Sequence, residues 1–158
     1  MAARPPTTTG GRRTRAENRA LLLLDRPLAG YYITNITDSW VPFTTVIEAS
    51  AFVDRNEIGD HTLVYLPRYL ASDDPAFAAP DEVWRESFTT ALLRMYPHVA
   101  ENHILAFRMS RERFVYALPT LGYSRRLPGQ QTSIPGVHIV NSAHIVNGTL
   151  NVNETVRL

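Results

Sequence analysis

The sequence predicts an α+β fold: an antiparallel or mixed sheet with one flanking helix, followed by a C-terminal strand and helix. Three observations carry that expectation. β-Branched and aromatic runs recur between short turn signals over residues 20–66. One apolar stripe with helical spacing lies between Pro80 and Pro97. A short apolar run at residues 137–140 then delivers small polar residues toward Gly148.

Residues 1–19 are mostly Pro, Thr, Gly and Arg. Such a stretch buries too little surface to offset its ordering entropy, so a disordered arm is expected there. Strands are expected at Ala20–Leu24, Tyr31–Ile36, Thr44–Val53 and Thr62–Leu66. The punctuation between them is Asp25-Arg26-Pro27, Thr37-Asp38-Ser39, Asn56–Asp60 and Pro67. These gaps are too short for parallel crossovers, which need about a dozen or more residues, so a four-stranded meander is expected.

Ser72 and Asp73 ahead of Pro75 suggest a capped turn, and Pro80-Asp81-Glu82 places acid at the positive end of a helix. Trp84, Phe88, Ala91, Leu92 and Met95 form its apolar face, and Pro97 stops it. Ile104–Met109 and Arg113–Leu118 read as one long bent strand. Pro119–Gly136 is a Pro/Gly-rich connection, and Val137–Val140 a short strand. Thr149–Leu158 holds weak helix formers and needs a surface to pack on.

Composition removes several function classes. The 158 residues suit one domain with a real core, and 44% apolar content is ordinary for a globular chain. There is no cysteine, which excludes disulfides, thiol catalysis and zinc–cysteine sites. Every basic residue is arginine, so no lysine is available as base or Schiff-base former. GC-rich codon usage accounts for that bias as readily as phosphate recognition does. The net charge of +1 is uneven: five arginines against Glu17 give residues 1–19 a charge of +4, leaving −3 for the rest. That arm lacks aromatics and a following helix-turn-helix pattern, so no nucleic-acid partner is expected. No apolar run approaches the roughly 18 residues of a membrane helix, and no h-region follows the N-terminal arginines. A cytoplasmic location is therefore the expectation. On that basis the sequons at Asn35, Asn147 and Asn153 are expected to be unused.

Catalytic constellations are mostly missing. His61, His98, His103, His138 and His144 show no metal-ligand spacing, so no metal is expected. Asp73-Asp74 fits a cap better than a pair of catalytic carboxylates. Tyr31-Tyr32, Tyr65 and Tyr69 suit either a ring-binding pocket or sheet packing. The remaining pattern is Pro135-Gly136-Val137-His138-Ile139-Val140-Asn141-Ser142-Ala143, then Asn147-Gly148-Thr149-Leu150-Asn151. Strand ends that face helix N-termini offer free amides to phosphates and to carbonyls that gain negative charge.

This stretch resembles the C-terminal signature of the flavin-containing amine oxidase and protoporphyrinogen oxidase superfamily, approximately Pro-Gly-Leu-Tyr-Leu-Ala-Gly-Asp/Asn-Ala. Arg113–Ser124 is similar to the aromatic lead-in of protoporphyrinogen oxidases. The resemblance implies a substrate-domain sheet and helix over residues 20–127. It also implies that residues 128–158 complete a Rossmann-like FAD-binding domain. Asn141 and Ser142 then stand at the ribityl-pyrophosphate, and Gly148, Thr149, Leu150 and Asn151 bring amides to the isoalloxazine edge. Asn141-Ser142 replaces the usual Gly-Asp pair, and Val152 and Asn153 replace small residues against the ring. No catalytic residue is carried over.

The function so implied is hydride transfer from a small-molecule substrate to FAD, the substrate being an amine, a porphyrinogen or a carotenoid-like hydrocarbon. The adenosine-binding Gly-x-Gly-x-x-Gly unit is missing, so the chain is expected to be an inactive fragment alone. It is also expected to expose an apolar face for the missing half or for self-association. Alternatives are a UDP-galactopyranose mutase-like flavoenzyme and a non-enzymatic α+β interaction domain.

Overall fold

A computed structural model of the chain describes residues 14–117, 119–148 and 150–158. They fall into two compact units, one of residues 16–113 and one of residues 14–15 with 114–158. The first unit is an antiparallel sheet with a helix on one face. The strands are β1 (Thr14–Leu24), β2 (Ile33–Asn35), β3 (Thr45–Glu48), β4 (Thr62–Ala71) and β5 (Ile104–Ala117), with helix α1 at Asp81–Met95. Their order in the sheet is β2-β3-β4-β1-β5.

That order corrects the simple meander. β2, β3 and β4 are sequential neighbours, with Ile33 opposite Ile47 and Ile47 opposite Tyr65. β1, however, lies between β4 and β5 rather than beside β2. The reason is visible in Ala20–Leu24, an unbroken apolar run suited to an interior strand with a neighbour on each side. Leu22 and Leu24 are fully buried, and Leu21 and Leu23 on the other face are half-buried.

β1 also begins at Thr14 rather than at residue 20. Residues 14–19, expected in the arm, alternate along a pleat, and Ala16 and Asn18 on the core face are fully buried. Residues 1–13 of the arm lie outside the described residues. Pro67 does not end β4 either, although a proline offers no ladder N–H. Its carbonyl accepts from both the amide and the hydroxyl of Thr44, at 2.9 and 2.8 Å.

The core lies between α1 and the even-numbered face of the central strands. Ala16, Ala20, Leu22 and Leu24 of β1, Val46 of β3, and Val64, Leu66 and Leu70 of β4 meet Trp84, Phe88, Ala91 and Leu92 of α1. Phe88 stands edge-on to Trp84 and Phe43, with centroids 5.3 and 5.5 Å away. Each fully buried large apolar side chain here contributes about 1.5–3 kcal/mol by area. Helix α1 starts after Pro80, with Asp81 and Glu82 in its first turn. Asp74 accepts from the amide of Ala76 at 2.8 Å and caps a separate 3-10 turn at Pro75–Ala78.

One buried carboxylate organises the β1–β2 connection. Glu48, 2% exposed, accepts three backbone amides: Leu28 at 3.0 Å, Ala29 at 3.1 Å and Gly30 at 2.9 Å. Gly30 has φ +72°, a left-handed conformation that folds the chain around the carboxylate. The amide of Glu48 donates to the carbonyl of Tyr32 at 3.0 Å, which ties the next residues to β3.

In the second unit, Val137–Val140 is not a sheet strand. It forms one isolated bridge, Gln131 to His138, after a turn at Gly136 with φ +78°. The amide of Thr132 donates to the carbonyl of Val137 at 3.1 Å and the amide of Ile139 to that of Gln130 at 2.8 Å, while Ile139 and Val140 remain about half exposed. The expected terminal helix is a five-residue α2 at Val152–Val156. No helix among the described residues is long and apolar enough to cross a membrane.

Glu48→Ala should destabilise the fold by about 2–4 kcal/mol, because three amides lose a charged acceptor in a buried setting. Urea unfolding of the variant checks this, and a change under roughly 0.5 kcal/mol would contradict the role given to the carboxylate.

Candidate functional site

The sheet face opposite α1 carries no helix of its own unit, and odd-numbered side chains collect there. Glu17 and Arg19 project from β1, and Tyr65, Pro67 and Tyr69 from β4. Ile47 of β3, opposite Tyr65, and Tyr32 just before β2 complete an open depression of about 410 Å³. A volume of that order suits a small organic molecule. Spacing of two along the strands puts these groups on one side, and the Glu48 clamp sets the position of Tyr32. Tyr32 is itself backed by Phe52, with ring centroids 5.5 Å apart.

The electrostatics are uneven. The Arg19 guanidinium carbon lies 6.0 Å from the Tyr65 ring centroid, a cation–π distance, at the exposed rim. Glu17 is 9% exposed. Burial raises its carboxyl above the ordinary range, and the charge of Arg19 offsets part of that rise. The depression therefore combines aromatic faces, one guanidinium fork, and a carboxyl that holds its proton to higher pH than a solvated one.

Of the ring-pocket candidates, Tyr32, Tyr65 and Tyr69 come together here, whereas Tyr31 does not line the depression and is 69% exposed. Glu17 and Arg19 were hidden because they fall inside the stretch expected to be an arm. Their signal was Ala16 and Ala20 on one face with Glu17 and Arg19 on the other, running straight into the leucines. Among the described residues no three His, Asp or Glu side chains gather as metal ligands.

The expected flavin contacts belong to the second unit. Asn141 accepts from the amide of Ala143 at 2.9 Å and caps a 3-10 turn at Ser142–His144, while its own amide reaches His144 Nδ1 at 3.2 Å. The carbonyl of Ala143 accepts from the Tyr123 hydroxyl at 2.9 Å. Asn151 is the N-cap of α2 and accepts from the amide of Glu154 at 2.9 Å. Gly148 is covered by the Glu154 side chain, which a Cβ there would meet at 2.8 Å. Leu150 is 47% exposed, and Thr149 lies outside the described residues.

These residues do not by themselves fit a bound flavin. The side-chain oxygens of Asn141 and Asn151 already accept from local amides, and the Glu154 side chain, ion-paired with Arg157 at 2.7 Å, covers Gly148.

No family model matches the chain, and no curated protein matches it either. Solved structures do share its fold. A provisionally assigned protoporphyrinogen oxidase from Exiguobacterium sp. 255-15 aligns with a TM-score of 0.62 at 14% identity, over 73% of this chain and 26% of its own length. An oxidoreductase from Methanosarcina mazei aligns with a TM-score of 0.54 at 18% identity, over 85% of this chain and 30% of its own. Reduced UDP-galactopyranose mutase aligns with a TM-score of 0.57 at 13% identity, over 73% and 24% respectively. At these identities the likeness is one of fold, and the chain spans under a third of each structure it matches.

The raised Glu17 carboxyl has a stability consequence. The folded state binds this proton more tightly than the unfolded state, so stability falls as pH rises from the ordinary carboxyl value through the raised one. Glu17→Gln removes that loss. Its melting temperature relative to the parent should therefore be higher near neutral pH than at pH below 4.5. Parallel pH–melting curves for the two proteins would contradict the assignment.

Proposed function

We propose that this chain is the substrate-side part of an FAD-dependent oxidoreductase, in which a small-molecule substrate transfers a hydride to the flavin. The single observation that carries this reading is the fold likeness to a protoporphyrinogen oxidase-like protein over nearly three quarters of the chain. The sequence pattern at 135–151 points the same way. In this reading residues 20–127 present the sheet face to the substrate, and residues 128–158 return toward an FAD-binding domain. Asn141, Ser142, Gly148, Thr149, Leu150 and Asn151 are its proposed cofactor-side residues.

The poor fit of Asn141, Gly148 and Asn151 to a flavin assigns most of the cofactor's affinity to an adenosine-binding unit supplied elsewhere. Bound FAD supplies the two-electron chemistry. The sheet-face residues bind and orient the substrate. Arg19 and the tyrosines hold it against β1 and β4, and the carboxyl of Glu17 is a hydrogen-bonding group of adjustable charge. A sugar isomerase that uses the same cofactor without net oxidation is a second reading, favoured by the fold of reduced UDP-galactopyranose mutase. It would show no net loss of hydride from its substrate.

Titrating the purified chain with FAD tests the cofactor. Weak saturable quenching of flavin fluorescence is expected, with Kd on the order of 0.1 mM, or about 5.5 kcal/mol. Glu154→Ala should strengthen it several-fold by uncovering the Gly148 backbone. Quenching that never saturates, or that ignores the Glu154 substitution, would remove the flavin reading from this chain.

A further inference from the structure

We propose that this chain pairs with a second copy of itself along the free edge of β5, as an antiparallel two-fold seam centred on Ser110. The inference goes beyond the flavin reading and does not depend on it.

β5 closes one end of the sheet. Its inner neighbour is β1, and among the described residues no strand pairs with its outer side. At 14 residues it is also longer than any other strand described. Unpaired backbone groups on such an edge recruit other chains, so edge strands are usually short or guarded by proline, bulges or charge. β5 contains neither proline nor glycine. Two of its three arginines are drawn back onto their own chain. Arg111 donates to the carbonyl of Ala79 at 2.7 Å and pairs with Asp81. Arg113 donates to the carbonyl of Ser72 at 2.7 Å and lies over the Phe77 ring. They anchor the strand rather than guard its rim.

The remaining charges select the occupant. Phe107 and Met109 pack against the core, so Arg108, Ser110 and Glu112 lie on the other face, and all three are exposed. An antiparallel copy related by a two-fold axis through Ser110 sets Arg108 of each chain opposite Glu112 of the other. Sliding the copy by one residue in either direction sets Arg108 opposite Arg111 or Arg113. Like charges directly opposite each other destabilise a strand pair, so the charges specify one register against its neighbours. A peptide of unrelated sequence would find the same backbone groups but not the two matched ion pairs.

Sedimentation equilibrium of the purified chain, without flavin, tests this. The seam over residues 107–113 is short against the roughly 1,200–2,000 Å² of a stable interface. A dimer with Kd on the order of 10 µM is therefore expected, with slower exchange of the outward amides within 107–113. Arg108→Glu sets two carboxylates opposite each other, and Glu112→Arg sets two guanidinium groups so. Each variant alone should dimerise at least about tenfold more weakly. An equimolar mixture of the two should recover the parent's affinity, because every cross-chain pair is again of opposite sign. Salt at about 1 M should recover part of the Arg108→Glu dimer by screening, which serves where Glu112→Arg does not fold.

A chain that stays monomeric at about twenty times that Kd would overturn the proposal. So would self-association that neither reversal weakens, a mixture of folded variants that fails to associate, or an Arg108→Glu variant that salt leaves unchanged.

Discussion

The placement of the open face depends on the buried carboxylate of Glu48. It closes three amide hydrogen bonds from residues 28–30 and so fixes the connection by which the chain leaves β1. That connection has an unusual task. It starts at the end of an interior strand, skips over β4 and β3, and delivers Tyr32 to the far side of the sheet. Leu28 anchors this loop in the core, and its amides must be satisfied as well. The carboxylate on β3 does so. Further support comes from the start of the connection, where the amide of Asp25 donates to the carbonyl of His103 at 3.1 Å.

With that connection fixed, the two faces of the sheet part in character. The α1 face is packed with leucines, valines and aromatic edges, and it supplies most of the stability. It still holds polar atoms without partners: both side-chain atoms of Asn18, the hydroxyl of Thr62 and the indole nitrogen of Trp84. An unsatisfied buried group of this sort costs about 1–3 kcal/mol, so the core is less than optimal for stability alone. The opposite face shows the reverse economy. Its tyrosines are partly exposed, and its buried charged group, Glu17, sits beside an arginine. Local departures from stability rules are expected at functional surfaces, and this face collects them without loss of the sheet beneath.

Helix α1 was fully legible in the sequence, because Pro80, the first-turn acids, the Trp84–Met95 stripe and Pro97 all point to one answer. The three strands β2, β3 and β4 were legible as neighbours, but the run expected over Thr44–Val53 leaves the sheet after Glu48 for a 3-10 turn at Ala49–Ala51, and β4 runs on to Ala71. The place of β1 was not, since hydrophobic pattern gives burial but not partner, and sequential adjacency is only a tendency. Its N-terminal half was concealed by composition: the arginine-rich arm holds few apolar residues, yet Ala16 and Asn18 lie on a buried pleat. Val137–Val140 failed for a different reason. A short apolar run reads as a strand anywhere; here it pairs with residues 130–132 across a tight turn and forms a single bridge. The candidate site followed the same division. Tyr32, Tyr65 and Tyr69 were visible as ring-binding residues, whereas Glu17 and Arg19 became visible only once β1 was seen to run through them.

The two halves of the functional reading rest on different physics. The cofactor reading comes from a sequence pattern at 135–151 and from shared fold. Local geometry there works against a self-sufficient site, because Asn141 and Asn151 cap their own turns and Glu154 shields Gly148. The substrate reading comes from the opposite direction: no sequence signature marks it, but strand pleat, cross-strand pairing and burial bring its groups together.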